Sequence, residues 1–531
     1  MKQNIIKHIF TFKSIFPLLL FLGYVFYRSL SFPLHDFANS YFPAHLAIYN
    51  NTPEFFLFDI YEFNNYIWSL GYNEVFADFY LNSPFNIVAF YPFAFIENAY
   101  TAKAVFNGIS CILFVLSIAA LIKRYGEKSH LLVYVIPILF YVPIRNQILF
   151  GQTYFLIFAL IVFSFLQIEK GKAKAGGTLL ALASLLKVFP VFYGVVFVLN
   201  NNKKAIIYAV ISGFLLLVLG ITLTGTSVWK TYFLEVIPNA IANKSTVNFQ
   251  FNSQSFDVFF KTLFIHDSYY NSNVLYNSER LYTAIIWIFK AVFLGLAFSM
   301  SFKVKKDVLA LLSIWIVTLF LVQSRTATYA QILWIIPAFY ITSNKMNMWK
   351  KIAFFLILFL LCNFPLSKLE NLPILLRFSR MWFALILAII VFSTFAKRKS
   401  FLFIFASIIL LIPFNLSVFS NSKKLMSQYV LKTQEFFIIY DFSQTNNLLT
   451  YFALGKNGKE TVTTKISVNT FNTSACKLVN NQIVLNGKQL TNDPSLKKKP
   501  VLINSKEVYY LTDSQSRRGA FTLKKININS N

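Results

Sequence analysis

Asp36 is placed where a carboxylate could serve as a base. It lies in SFPLHDFANSYFP, Ser31 to Pro43, the first polar stretch after the first long apolar run, and it opens a loop rich in aromatics. A carboxylate just beyond a membrane boundary meets both lipid and water, and within hydrogen-bond reach of a hydroxyl it can take the proton as a new bond forms. The same residue also reads as a solvated or helix-capping Asp. Three cations lie at a depth suited to a departing anion: Lys187 inside an apolar segment, and Arg325 and Arg145 at the ends of apolar runs. In a partly desolvated cavity such groups stabilise developing negative charge through short charge-assisted hydrogen bonds. Each has a plainer reading too, Lys187 as a snorkelling or helix-end lysine and the arginines as ordinary juxtamembrane residues. Gln152, Asn252, Gln254 and Ser255 can hydrogen-bond a sugar or phosphate, or cap loops and helices.

Other chemistries lack their residues. There are five histidines and no H-E-x-x-H spacing, so His35 and His45 read as ordinary loop residues. No Asp-x-Asp occurs, so the usual carboxylate pair for a sugar-phosphate metal is missing and no required metal is expected. Of the three cysteines, Cys111 and Cys362 lie in apolar runs and Cys476 stands alone in the tail, which excludes a disulfide framework.

The elements that must position these residues are membrane spans. Of 531 residues, 56% are hydrophobic and only 13% charged, with 62 phenylalanines, and the mean hydropathy is +0.57. The formal net charge of +28 is gathered largely in short clusters between apolar runs, a pattern of membrane topology that argues against nucleic acid. The first span, about 10–30, follows lysines and runs outward as a retained helix. Residues 31–98 hold seven acidic residues and no Lys or Arg, so this first large loop reads as external. Within it Pro84 to Ile96 is apolar but too short to cross, and is expected to lie in the interface or dip in and return. Spans at about 100–122, 131–142 and 152–166 end at basic clusters where alternation requires. Residues 176–200 begin after lysines and end before lysines yet are too short to cross twice, which predicts a re-entrant pair of half-helices turning at Lys187 and Pro190. A span at 205–224 leads to a second external loop, residues 225–279, and six further spans, the last at 401–419, complete about eleven crossings. The expected fold is thus an all-α polytopic membrane domain, 1–420, with the re-entrant hairpin.

Residues 421–531 turn polar and carry short β-favouring runs, with Asn486-Gly487 between QIVL and KQL as a two-residue hairpin signal. They predict a small, mostly β domain on the extracytoplasmic side.

Three stretches together resemble glycosyltransferase family 87, membrane mannosyltransferases of the GT-C class. They are LHDFANSYFPAHLAIYNN with the later NSPFNIVAFYPFAFI; the segment from Gly151-Gln152 through the glycine pair to Lys187 and Pro190; and FNSQSFDVFF, in which Ser253 separates Asn252 from Gln254. The resemblance covers about the first 345 residues and not the β domain. In QSRTATYAQILWIIPA the family usually shows Ser-Pro and a His before the Tyr, where this chain has Arg325 after Ser324 and Thr328 before Tyr329.

The resemblance implies transfer of a single sugar, mannose by family preference, from a polyprenyl-phosphate donor to a lipid or glycan acceptor on the extracytoplasmic face of the cell membrane. Asp36 would be the base, Lys187, Arg325 and Arg145 would bind the donor phosphate, and Gln152, Asn252, Gln254 and Ser255 would bind sugar or acceptor. One base without a carboxylate nucleophile implies direct displacement with inversion. The alternatives are a ligase or polymerase of lipid-linked glycans and a transporter or flippase of lipid-linked sugars. The span pattern shows no internal repeat, and its polar residues concentrate in loops, which disfavours translocation.

Overall fold

A computed structural model of the chain describes residues 2–49, 55–80, 82–126, 130–241, 251–266, 271, 273–369, 372–395, 427–429, 436–455, 458–493, 495–513 and 519–528. It is mostly helical through residue 395 and all-β from 427 onward. Among the described residues three helices are long and apolar enough to cross a membrane: Ala99–Tyr125, Lys203–Thr224 and Glu279–Ser301. The pair His130–Leu139 and Tyr141–Phe150, bent by 64°, supplies a fourth as one broken span. Shorter apolar helices include Tyr154–Glu169, Ala173–Leu186, Val308–Val322 and Ser379–Ser393, so the expected eleven crossings rest in part on segments below spanning length. The expected span at 401–419 lies outside the described residues.

Helix starts follow capping chemistry. Asn98, Asn202, Ser255 and Asp307 each accept a backbone N–H two or three residues into the helix that follows, satisfying a donor that the first turn leaves open. The Val308–Val322 helix is apolar all round, and its residues from Val308 to Leu321 are buried, as suits a helix at the centre of a bundle. The Lys203–Thr224 helix buries little of its apolar length against protein and so presents its surface to lipid.

The segment at 176–200 is interrupted where the sequence predicts. The Ala173–Leu186 helix ends at Lys187, which is extended (φ −143°, ψ 138°); a 3₁₀ turn, Phe189–Tyr193, carries Pro190, and Gly194–Leu199 resumes the helix. The third predicted span differs from expectation. It breaks at Phe140 (φ −114°, ψ 29°), three residues before Pro143, and the opened backbone is held by Asn363 of a distant helix. Asn363 Oδ1 accepts the Val142 N–H at 3.1 Å and its Nδ2 donates to the Leu139 carbonyl at 2.9 Å. Phe85–Ala94, expected at the interface, is a helix whose Phe85, Asn86, Ile87, Phe90 and Ala94 are buried under neighbouring helices.

The β region holds strands β1 (Ser427–Tyr429), β2 (Phe436–Thr445), β3 (Leu448–Gly455), β4 (Gly458–Ser467), β5 (Phe471–Asn472), β6 (Cys476–Val479), β7 (Gln482–Leu485), β8 (Lys488–Gln489), β9 (Lys497–Ile503), β10 (Glu507–Thr512) and β11 (Thr522–Asn527). They form an antiparallel sheet ordered β1-β11-β10-β9-β5 and two three-stranded meanders, β2-β3-β4 and β6-β7-β8. The predicted hairpin is present, with Leu485 opposite Lys488 and both turn residues at positive φ, Asn486 at 49° and Gly487 at 79°, as a type I′ turn demands.

Candidate active site

Asp36 sits in a 3₁₀ turn, His35–Phe37, that leads into the helix Ala38–Tyr49. Phe37 is fully buried and packs on Phe90 and Phe106 at ring-centroid distances of 5.9 and 5.7 Å, so the turn is anchored by one side chain while its neighbour stays accessible. The Asp36 side chain is 24% exposed, and its Oδ1 lies 3.2 Å from His35 Nδ1. His35 adopts the left-handed region (φ 51°) and stacks on Phe150 at 3.9 Å. The second carboxylate oxygen accepts a hydrogen bond from Gln152 Nε2.

Gln152 follows Gly151, which ends the Tyr141–Phe150 helix in the left-handed conformation (φ 66°). A Cβ at Gly151 would lie 2.6 Å from Phe37 Cβ, so the glycine allows the loops bearing Asp36 and Gln152 to touch. Gln147 fixes Gln152 from behind: its Nε2 donates to the Gln152 carbonyl, and its own carbonyl accepts the Gln152 N–H at 3.0 Å.

Sequence reasoning passed over Lys103, which ties these loops together. The residue is 1% exposed, and its ammonium donates to the carbonyls of Pro33 and Leu149, both at 2.6 Å, and reaches that of Phe32 at 3.4 Å. One turn further along the same helix, Asn107 donates to the Ile148 carbonyl at 2.8 Å. Lys103 and Asn107 therefore hold the carboxyl end of the Tyr141–Phe150 helix, where its dipole is negative, against the chain that leads to Asp36. A signal existed: Lys103, Asn107, Ser110 and Ser117 are all buried and lie on one face of an otherwise apolar span, a pattern that marks an inward-facing polar stripe.

Lys187 joins the cluster from the interrupted helix. Its Nζ lies 5.2 Å from the centroid of the Tyr154 ring, and Tyr154 packs between Phe189 at 5.7 Å and Tyr329 at 5.1 Å. Lys187, Lys103 and Tyr329 all stand within coulombic reach of Asp36. Asn86, 1% exposed, donates to the Leu186 carbonyl at 2.9 Å, holding the helix end that presents Lys187.

The other expected residues group beside this cluster. Ser255 Oγ donates to the Ser324 carbonyl at 2.6 Å, and the Thr326 N–H donates to the Ser253 carbonyl at 3.1 Å. The loop bearing Arg325 is thus stitched to the Asn252–Ser255 element, three residues before the 3₁₀ turn Thr328–Trp334 that carries Tyr329. Gln254, at φ 41°, donates to the Arg377 carbonyl at 3.0 Å, while Asn252 is exposed. A second residue unforeseen from sequence, Arg380, is 4% exposed and donates to Thr328 Oγ1 at 3.1 Å and to the Phe364 carbonyl at 3.0 Å. Arg145 stands elsewhere, over the Tyr141 ring at 5.7 Å. His45 Nδ1 meets Tyr66 OH at 2.8 Å, and burial lowers its pKa, in keeping with a packing role. His35, set aside on sequence grounds, touches the Asp36 carboxylate.

The arrangement offers a partly exposed carboxylate, oriented by an amide, and a partly buried ammonium set over an aromatic ring. It can accept a proton at one point and stabilise an anion at another.

The model of glycosyltransferase family 87 matches residues 80–324. That stretch carries Lys103, Arg145, Gln152, Lys187, Asn252, Gln254 and Ser255; Asp36 precedes it and Arg325 directly follows it. No curated protein and no solved structure matches the chain.

Proposed function

We propose, from the match of family 87 to residues 80–324, that the chain is a glycosyltransferase that moves one sugar, mannose first among candidates, from a polyprenyl-phosphate donor to a lipid or glycan acceptor at the outer face of the cell membrane. The acceptor hydroxyl attacks the anomeric carbon and passes its proton to Asp36, while the bond from that carbon to the phosphate oxygen breaks. The lipid phosphate leaves against Lys187, with Arg325 and the nearby buried Arg380 as further cations, and the sugar inverts. Gln152 orients the carboxylate, and the Asn252–Ser255 element lies beside the Arg325 loop in a position to contact the sugar or acceptor. No metal is required, a reading that rests on the absence of Asp-x-Asp from the sequence.

The observations that support this reading are the Asp36 carboxylate held by Gln152 and, within electrostatic range of it, the partly buried Lys187 at the interruption of its helix. The test is transfer of radiolabelled mannose from polyprenyl-phosphate mannose into endogenous acceptors, in membranes carrying the wild type or Asp36→Asn with EDTA present. The wild type should transfer label, and the variant, equally abundant, should be slower by roughly 100- to 10,000-fold, the range for loss of a general base. Equal transfer by both would remove Asp36 from the mechanism, and transfer by neither would overturn the donor, with polyprenyl-phosphate glucose and arabinose to follow.

A further inference from the structure

Behind the Asp36 loop lies a cavity of about 330 Å³ whose walls include Tyr24, Arg28, Phe32, Tyr141 and Arg145. Its two charged residues are both arginines, and Val25, Ser31 and Leu149 complete the described lining without a carboxylate. Arg28 occupies the last turn of the helix Lys2–Ser29, one turn beyond Tyr24 and so on the same face. Arg145 comes from the Tyr141–Phe150 half of the broken span. One edge of its guanidinium is held by Asn146 Oδ1, to which Nε and Nη2 donate at 3.2 and 3.1 Å, and one face lies over Tyr141.

Two guanidiniums from different elements border one solvent-accessible pocket whose described lining holds no carboxylate, so an anion entering it meets two cations and no competing negative charge. Guanidinium forks match phosphate oxygens in geometry and charge. The surroundings indicate how such an anion arrives. The helix leading to Arg28 exposes Phe16, Leu20, Tyr24 and Tyr27, an apolar flank ending in tyrosines of the kind found at a membrane interface, so a ligand with a hydrocarbon tail can lie along it. Phe32 links the cavity to the candidate active site. Its ring is 5.9 Å from Phe150 and 6.4 Å from His35, and His35 touches Asp36.

We infer that the Arg28–Arg145 cavity binds the phosphate group of a membrane lipid, holding a lipid-borne substrate within one aromatic ring of Asp36. The inference extends the proposed transfer reaction, but its test needs no turnover. The full chain in phosphatidylcholine nanodiscs is titrated with radiolabelled undecaprenyl phosphate and, separately, with phosphatidylglycerol. The proteins compared are the wild type, Arg28→Gln with Arg145→Gln, the charge-retaining Arg28→Lys with Arg145→Lys, and Asp36→Asn.

The double Gln variant should bind at least tenfold more weakly, the double Lys variant should keep part of the affinity, and Asp36→Asn should bind as the wild type does even where it transfers no sugar. A loss confined to undecaprenyl phosphate identifies a polyprenyl carrier as the ligand, and a parallel loss of both lipids identifies any lipid phosphate. Binding of both probes by the double Gln variant at wild-type strength, or of neither by the wild type, overturns the inference. If the Gln variant melts early, the graded loss in the Lys variant, set against unchanged binding by Asp36→Asn, still decides it.

Discussion

Lys103 shows what one buried charge does at this site. Its ammonium is out of water and draws its partners from backbone carbonyls of two loops, Pro33 on one side and Leu149 on the other. Replacing it with methionine keeps the length of the side chain and removes the donor, leaving two buried carbonyls without a partner at about 1–3 kcal/mol each. Those loops carry Asp36 and Gln152, so the effect should fall on their mutual register. Lys103→Met is expected to lower kcat for sugar transfer by at least tenfold while KM for donor and acceptor changes less than threefold. Steady-state kinetics at matched membrane abundance would check this, and Lys103→Arg, which can still donate to both carbonyls, should recover part of the rate. A parallel rise in KM with unchanged kcat would mean that Lys103 only shapes a binding surface. Asp36, Gln152 and Lys187 could be picked out from sequence because each is a polar residue at a boundary or interruption of an apolar run. Lys103, Arg380 and Arg28 could not be assigned in that way, since their partners are carbonyls, hydroxyls and cavity walls contributed by residues distant in the chain.

At the scale of elements, the Ala173–Leu186 helix lies between two neighbours at distances only glycine permits. A Cβ on Gly177 would stand 2.4 Å from the Ala205 carbonyl oxygen and 2.8 Å from the Ala209 nitrogen, both backbone atoms that cannot swing away. Gly176, whose carbonyl accepts Ser164 Oγ at 2.7 Å, faces the preceding helix in the same manner. Gly177→Ala should therefore push the helix away from Lys203–Thr224 and destabilise the membrane domain by about 1–3 kcal/mol, as overpacking does. Gly213→Ala in that neighbouring helix is the matched control. Its Cβ would meet Ala181 at 3.8 Å, an ordinary contact, and removing a mid-helix glycine should be neutral or stabilise by about 0.5–1 kcal/mol. Melting temperatures of the purified variants would separate the two, and a Gly177→Ala protein as stable as the wild type would refute the close packing. The interruption at Lys187 was legible because length and flanking lysines forbade one straight crossing. The break at Phe140 was not, because what makes it tolerable is Asn363, some 220 residues away, satisfying backbone groups that lipid cannot.

For the whole molecule, the strands of the β domain could be read from alternation and turn residues, but not the surface on which the domain rests. It docks on the first large loop. Ile60 and Trp68 of the helix Ile60–Ser69 share a buried cluster with Ile439, Phe442, Tyr509 and Phe521. The Tyr61 ring stacks on Tyr440 with centroids 5.2 Å apart, and Lys459 Nζ lies 4.8 Å from the Trp68 ring. Gly519 approaches so closely that a Cβ there would fall 2.4 Å from Asp59 Oδ1, and Asp59 is the residue that caps this helix. Stacking and cation–π contacts of this kind contribute about 0.5–1.5 kcal/mol each, added to the buried apolar area. The loop that is docked upon is the one that begins at Asp36, so the domain and the base are held on one side of the bundle. Tyr61→Cys with Tyr440→Cys should therefore be joined by a short bifunctional thiol reagent, giving a cross-linked peptide pair by mass spectrometry that neither single variant yields. Its own three cysteines should interfere little, since Cys362 and Cys476 are buried and Cys111 lies in a span. Under the proposed orientation, a membrane-impermeant reagent added to intact cells should form the same link. Formation only after permeabilisation would keep the docking and place both partners on the inner face, which would take the lipid-linked donor out of the mechanism. No link under either condition would dismiss the docking itself.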